Sequence, residues 1–215
     1  MGIAAIDARG LSDMLVYVAG EIGRREAELN ALDAAIGDGD HGITMHTGFE
    51  AIRERLGQLD GATPIEGILR ESGAAFLGAT GGAIGVVLGK MLMAGGKALQ
   101  GVEEIRAPEF VLLLSSMETS VSTTGKVKPG DRTILDAIHG AAAAVSGAGS
   151  EDLGVVVDRA ASAAQDAARK TADMLCRAGR ASRLGNRVLG HPDPGASSFA
   201  IILRAMHDWM TAQAA

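Results

Sequence analysis

Cysteine is almost missing from this 215-residue chain: Cys176 is the only one. A single thiol excludes an internal disulfide and fits a reducing compartment. Aromatic residues make up 3% and prolines number 5. Alanine, leucine and methionine dominate instead, a balance that favours helix over sheet. No twenty consecutive apolar residues occur, so no membrane-spanning helix is expected, and the first residues show no charged-then-apolar signal pattern. Lys and Arg together number 20 against 26 Asp and Glu, a net charge of -6. With no basic run and no aromatic–basic interleaving, nothing could track a phosphate backbone. These absences predict a soluble, cytoplasmic protein with neither a nucleic-acid nor a membrane partner.

What is present is helical periodicity. Leu11, Met14, Leu15, Val18, Ala19, Ile22 and Leu29 share one face, and the spacing predicts one helix ending near Asp33. Met45, Phe49, Ile52 and Leu56 mark a second. "TPIE" at 63–66 opens a third, with Thr63 as N-cap, Pro64 at the first helical position and Glu66 closing a capping box. Residues 83–99 are apolar nearly all round, as in the middle of a bundle. "APEFVLLLSSM" restarts a helix, although "VLLLS" alone would also pass for a buried strand. Another helix follows the loop at Lys128–Asp131. The longest run covers 151–177, places Cys176 as a packing thiol and stops at Gly179. A last helix runs to about Gln213. The expectation is a single domain over 1–215, an all-α bundle of about eight helices with no convincing strand.

Four glycine-bounded polar segments interrupt the pattern: Asp33–Thr44, Thr80–Gly85, Thr124–Thr133 and Gly179–Gly195. Alternate connections of an up-and-down bundle lie at one end, so these segments are expected to meet. The first, "LDAAIGDGDHGITM", gathers Asp33, Asp38 and Asp40 around Gly37 and Gly39. Two carboxylates about 4 Å apart repel by roughly 4 kcal/mol at an effective dielectric near 20. Three converging carboxylates therefore call for a cation or protons, and hard oxygen ligands suit Mg²⁺ shared with phosphates. A solvated Asp-Gly turn is the plain alternative. An EF-hand fails: counted from Asp38, the twelfth position is Phe49 rather than Glu. "TGGAIGVVLGK" offers backbone N–H groups at a helix start, where phosphate binds, or else glycines for tight helix packing; it is not a Walker loop. In "GRASRLGNRVLGHPDPGASS", Arg180 is the natural anion clamp, and His191 reads as a turn residue. His46, His139 and His207 fall inside helical runs and read as surface or satisfied histidines.

Taken together and in this order, "NALDAAIGDGDHG", "GGAIG", "KPGDRTILDA" and "GRASRLGNRVLGHPDPGASS" resemble the L subunit, DhaL, of bacterial dihydroxyacetone kinases, over nearly the whole chain. The resemblance implies a barrel of about eight antiparallel helices with a nucleotide, ADP or ATP, at one end. It assigns Asp33, Asp38 and Asp40 to two Mg²⁺ ions that bridge the phosphates. It places His41, Gly42, Ile43, Thr44, Gly82, Ala83, Ile84, Gly125, Thr133, Ile134, Arg180, Asp193, Pro194 and Gly195 around the nucleotide. It names Asp33, Asp38, Asp40 and Arg180 as the residues that stabilise phosphoryl transfer. The ketose is held by a separate K-type subunit, which this chain needs as a partner. The donor is either ATP or a phosphocarrier protein of the phosphotransferase system that recharges bound ADP. A homodimer is expected.

Four positions depart from the family pattern. Ile84 replaces the usual serine of the glycine motif, Val86-Val87 replaces Pro-Leu, and His46 stands where arginine or another polar residue is common. A related four-carbon ketose is therefore an alternative substrate. Two rival functions remain: an ADP-sensing regulator of a transcription factor, without catalysis, and a lipid-binding bundle, which gives the aspartates no use.

Overall fold

The computed structural model describes residues 3–214, without the side chains of Arg180, Ala181, Arg183 and Leu184. Nine α-helices are found among the described residues: α1 Ala8–Arg24, α2 Glu26–Ala34, α3 His41–Leu56, α4 Ile65–Ala79, α5 Gly82–Ala98, α6 Ala107–Gly125, α7 Ile134–Val145, α8 Leu153–Lys170 and α9 Pro194–Gln213. They make eight staves, because α2 continues α1 after a break. Each stave packs on the next in the order α1, α3, α4, α5, α6, α7, α8, α9, and α9 returns to α1. This is the all-helical barrel that the periodicity predicts. No helix is long and apolar enough to cross a membrane among the described residues.

Successive staves run antiparallel. Gly73 of α4 lies against Gly89 of α5, and Gly96 lies against the Glu66 carbonyl. Arg55 of α3 pairs with Glu71 of α4 at 2.8 Å, and Arg204 of α9 pairs with Asp158 of α8 at 2.7 Å. At the Gly73–Gly89 crossing a Cβ on either residue would come within 2.5 or 2.8 Å of the other's carbonyl oxygen. The glycines of residues 83–99 thus bring two helices into backbone contact. The inner faces supply one hydrophobic cluster drawn from all nine helices, including Leu11, Leu29, Phe49, Phe76, Leu88, Phe110, Ile138, Val157 and Phe199. Phe49 and Phe76 meet edge to face with ring centres 5.8 Å apart.

Four sequence expectations need correction. The first helix breaks at Arg25, whose N–H is shared between the Glu21 and Ile22 carbonyls at 3.2 and 3.1 Å. Thr63 does not cap α4. It belongs to the preceding turn, where its N–H meets the Asp60 carbonyl at 2.9 Å, and the carbonyl of Pro64 accepts the first helical bond. Glu66 therefore closes no capping box, and its Oε2 is buried without a partner among the described residues. The run at 151–177 leaves the α-helix at Lys170 for a 3-10 turn, Thr171–Asp173. Cys176 consequently lies in a loop, half-buried, with its thiol donating to the Ala178 carbonyl at 3.0 Å. Finally, a two-residue antiparallel pairing ties Ile6–Asp7 (β1) to Glu104–Ile105 (β2), a link too short to leave a period-two signal.

The antiparallel path puts the connections 57–64, 99–106 and 146–152 at one end of the barrel. The connections 35–40, 80–81, 126–133 and 171–193 lie at the other. The four polar segments therefore share an end, as expected.

Candidate functional site

The acidic turn is organised by its own backbone. Oδ2 of Asp33, in the last turn of α2, accepts from the N–H groups of Gly39 and Asp40 at 2.9 and 3.1 Å. Gly39 takes a φ of +78°, which lets the chain reverse there. A Cβ at Gly37 would lie 2.5 Å from Asp33 Oδ1, so only glycine leaves that carboxylate in place. The result is convergence: Asp33, Asp38 and Asp40 each present a carboxylate oxygen, all within 4.8 Å of one another. Two oxygens on opposite sides of a Mg²⁺ ion, each about 2.1 Å from it, stand about 4.2 Å apart. The spacing and the all-oxygen donor set fit a hard divalent cation.

The next residues tie the turn to neighbouring helices. The His41 ring is buried, and its Nε2 lies 3.2 Å from Ser198 Oγ of α9. Ser198 Oγ also lies 2.9 Å from the Gly195 carbonyl, so one hydroxyl joins the His41 ring to the first turn of α9. Burial holds the His41 pKa below its ordinary value, against the pull of the Asp33 charge and a bond to the Pro194 backbone. Gly42 faces α2. A Cβ there would lie 2.9 Å from the Glu26 carbonyl carbon, 2.8 Å from Asn30 Oδ1 and closer still to the Glu26 oxygen. Asn30 accepts the Ile43 N–H at 3.1 Å, while the Ile43 side chain points to solvent. Thr44 donates its N–H to the Asp40 carbonyl.

A second corner forms at the starts of α7 and α9. Thr133 caps α7 reciprocally with Asp136: the Thr133 N–H reaches Asp136 Oδ2 at 2.8 Å. The other oxygen of Asp136 accepts from Gly130 at 2.5 Å. Asp193 caps α9 by accepting the Ala196 N–H at 2.8 Å. Gly195 packs on α7, since a Cβ there would lie 3.2 Å from Ile134 Cβ. The start of α3 thus follows the acidic turn directly, His41 ties it to the start of α9, and Gly195 ties α9 to the start of α7. The positive dipole end of a helix N-terminus favours anions. Asp193 keeps some open surface, yet the protein around it pushes its pKa up to about 6. The dominant cause is desolvation. The Ala196 N–H and the nearby Arg132 oppose it, and Asp136 adds to it.

Other expected residues lie at the same end without being joined to this cluster. Gly82 and Ala83 are exposed at the start of α5, and Gly82 has a φ of +72°. Ile84, where a serine is usual, turns inward and packs on the core. Gly125 is exposed at the end of α6. Arg180 opens a 3-10 segment, Arg180–Val188, and its side chain lies outside the described residues. His46 contacts Glu26 at 2.5 Å, His139 contacts Glu118 at 2.6 Å, and His207 sits between Asp158 and Asp208. None of the three reaches the acidic turn. Three contributors escaped the sequence reading. Asn30 leaves no signal. Asp136 stands at capping-box spacing from Thr133, which the sequence reading did name, and could have been found. Arg132 is wholly buried, and nothing in the sequence marks an arginine as buried.

With that geometry in view, comparison with known proteins is informative. A family model described as the DAK2 domain matches residues 35–208. The chain is 34% identical over 190 residues to the PEP-dependent dihydroxyacetone kinase, ADP-binding subunit DhaL of Escherichia coli, covering 87% of this chain and 90% of that one. It is also 34% identical to the L-erythrulose 1-kinase of Mycolicibacterium smegmatis, over 86% of this chain but 33% of that protein. The fold resembles the crystal structure of the dihydroxyacetone kinase of C. freundii, with a TM-score of 0.74 and 26% identity, covering 97% of this chain and 35% of that one. The same kinase in complex with AMP-PNP and Mg²⁺ gives a TM-score of 0.68 at 26% identity, over 92% of this chain and 33% of that one. The chain therefore spans about a third of these longer kinases and most of the separate E. coli subunit. On the extent of the family match and the identity to the E. coli subunit, the chain belongs to the DAK2 domain family.

Proposed function

We propose that this chain is the nucleotide-binding subunit of a ketose kinase of the dihydroxyacetone kinase type. In this reading it presents ADP or ATP, held through two Mg²⁺ ions, to a ketose carried by a separate K-type subunit. The observation that supports it most is the convergence of Asp33, Asp38 and Asp40 within 4.8 Å at the start of α3, which His41 ties to the start of α9. Phosphoryl transfer asks for positioning and charge neutralisation rather than covalent help from the protein. Bound divalent ions would supply that neutralisation at the phosphate oxygens. The chain's own residues hold the rest of the site. Asp33 fixes the turn through Gly39 and Asp40. Neutral His41 ties α3 to α9, so that the two N-termini face one anion. Gly82, Ala83 and the α5 start, with Thr133, Ile134, Pro194 and Gly195, contribute N–H groups or close backbone surface. Gly125 leaves room at the end of α6, and Arg180 adds a fixed positive charge.

The attacking hydroxyl belongs to the sugar on the partner, so the partner sets which sugar reacts. The equal 34% identity to a DhaL subunit and to an erythrulose kinase favours a four-carbon ketose as the second reading. A phosphocarrier protein as donor, and a homodimer, belong to the same proposal. So does folding of 1–215 as one unit, supported by the single hydrophobic cluster that all nine helices share.

Replacing Asp38 by Asn tests the core of this reading. Calorimetric titration with ADP, with and without Mg²⁺, should show a metal-dependent affinity in the wild type. That dependence should be lost in the mutant, with its helical circular dichroism intact. Unchanged binding in the mutant rejects the role given to Asp38. Ketose phosphate formed when a K-type subunit and a phosphoryl donor are supplied separates a kinase subunit from a regulator without catalysis.

A further inference from the structure

Arg132 combines features that stability alone does not explain. Its side chain is wholly buried, and its backbone takes a left-handed φ of +61°, unusual for a residue with a Cβ. Its Nε donates to the Thr171 carbonyl at 3.2 Å. Its Nη2 donates to the carbonyls of Val188 at 3.3 Å and His191 at 2.6 Å. Nη1 is buried with no acceptor among the described residues. A strained backbone and an incompletely satisfied buried charge are two costs at one position, and such costs concentrate where position matters.

The bonds lead to the site. Thr171, held by Arg132 through its carbonyl, accepts the Asp193 N–H on its hydroxyl at 2.7 Å. The Asp193 carboxylate in turn caps α9 through the Ala196 N–H. The Gly190 N–H reaches the Ala172 carbonyl at 2.9 Å, which closes the 171–193 segment on itself. One guanidinium therefore grips both ends of this segment and reaches the first turn of α9 through two further bonds. Lysine could not do the same, because its ammonium lacks the flat fork that spans three carbonyls.

We propose that Arg132 is a positioning residue of the nucleotide site, setting by its grip on Thr171, Val188 and His191 where the Asp193–Gly195 turn stands. This rests on the nucleotide reading above. Arg132 touches neither the acidic turn nor the reacting phosphate. It acts through the segment it holds, so metal binding by the aspartates and nucleotide binding by the whole site should separate.

The test uses the full chain with Arg132→Gly, whose glycine suits the φ of +61° without strain, and Arg132→Lys. Calorimetry measures Mg²⁺ alone and Mg-ADP, and hydrogen exchange follows the Gly190 and Asp193 amides in the nucleotide-free protein. Arg132→Gly should weaken Mg-ADP about 10- to 100-fold, the effect of losing a charge-assisted cluster, while Mg²⁺ alone binds within about twofold of wild type. Both amides should lose protection. Ethylguanidinium should recover part of the Mg-ADP affinity of Arg132→Gly, ethylammonium should not, and Arg132→Lys should stay weak. The proposal is overturned if Arg132→Gly binds Mg-ADP as the wild type does with both amides protected. It is also overturned if Mg²⁺ and nucleotide affinity fall in equal measure. If the wild type itself binds no nucleotide, the nucleotide reading fails, and amide protection alone then decides whether Arg132 holds the segment.

Discussion

Replacing Gly42 by Ala probes how α2 and α3 come together behind the carboxylates. Two effects oppose each other. Alanine is worth at most about 1 kcal/mol over glycine in a helix, and Gly42 lies in the first turn of α3. Against that, the new methyl would stand 2.8 Å from Asn30 Oδ1 and 2.9 Å from the Glu26 carbonyl carbon, with the Glu26 oxygen nearer still. The obstacle is mostly backbone, so no rotamer change relieves it. Overpacking of this kind costs about 1–3 kcal/mol. Moving Asn30 aside also gives up its bond to the Ile43 N–H, worth about 1 kcal/mol. The balance is a loss of about 1–3 kcal/mol, which for a chain of this length lowers Tm by about 2–12 °C. Gly78 in α4 is the control, because a Cβ there meets nothing within 4 Å. Gly78→Ala should raise Tm by about 1–4 °C from helix propensity alone. Thermal melts by circular dichroism, with both variants beside wild type, decide the matter. Gly42→Ala should also weaken Mg²⁺ binding, because α3 begins one residue after Asp40. A Gly42→Ala protein that melts at or above wild type would refute the reasoning, since propensity would then have won.

Two further outcomes follow from the second corner. Asp136→Ala leaves the Gly130 and Thr133 N–H groups without their acceptors and should cost about 2 kcal/mol, read as a Tm lower by about 4–8 °C. Asp193 tests the electrostatics: its pKa is raised from 3.8 to about 6 in the folded chain, so the folded state binds the proton more tightly than the unfolded one. Stability from this group is therefore present at low pH and lost as pH rises from about 4 to 6, by at most about 3 kcal/mol and less where solvent reaches the side chain. Urea melts of wild type and Asp193→Asn at pH 4 and pH 7 should show the difference shifting toward wild type in acid. A difference independent of pH would contradict the raised pKa.

Much of this protein was legible before folding was considered. Apolar residues recurring at helical spacing gave the staves, because a helix must bury one stripe and expose the other. Asp33, Asp38 and Asp40 stood out since a short turn with two glycines leaves carboxylates few ways to avoid one another. The sharing of one barrel end by four polar segments followed from antiparallel connectivity alone. Local signals failed where a neighbour decided the outcome. Thr63 looked like a cap, but the Asp60 turn took its N–H. Residues 171–177 kept a helical pattern, yet Arg132 and Asp193 draw Thr171 into a 3-10 turn. What only the tertiary structure decided is that an arginine with no sequence mark lies buried, that the His41 ring meets a serine 157 positions away, and that Gly42 and Gly195 are contact points between helices. Spacing along a chain fixes which residues share a face. Which distant groups desolvate and bond to one another depends on how the faces pack.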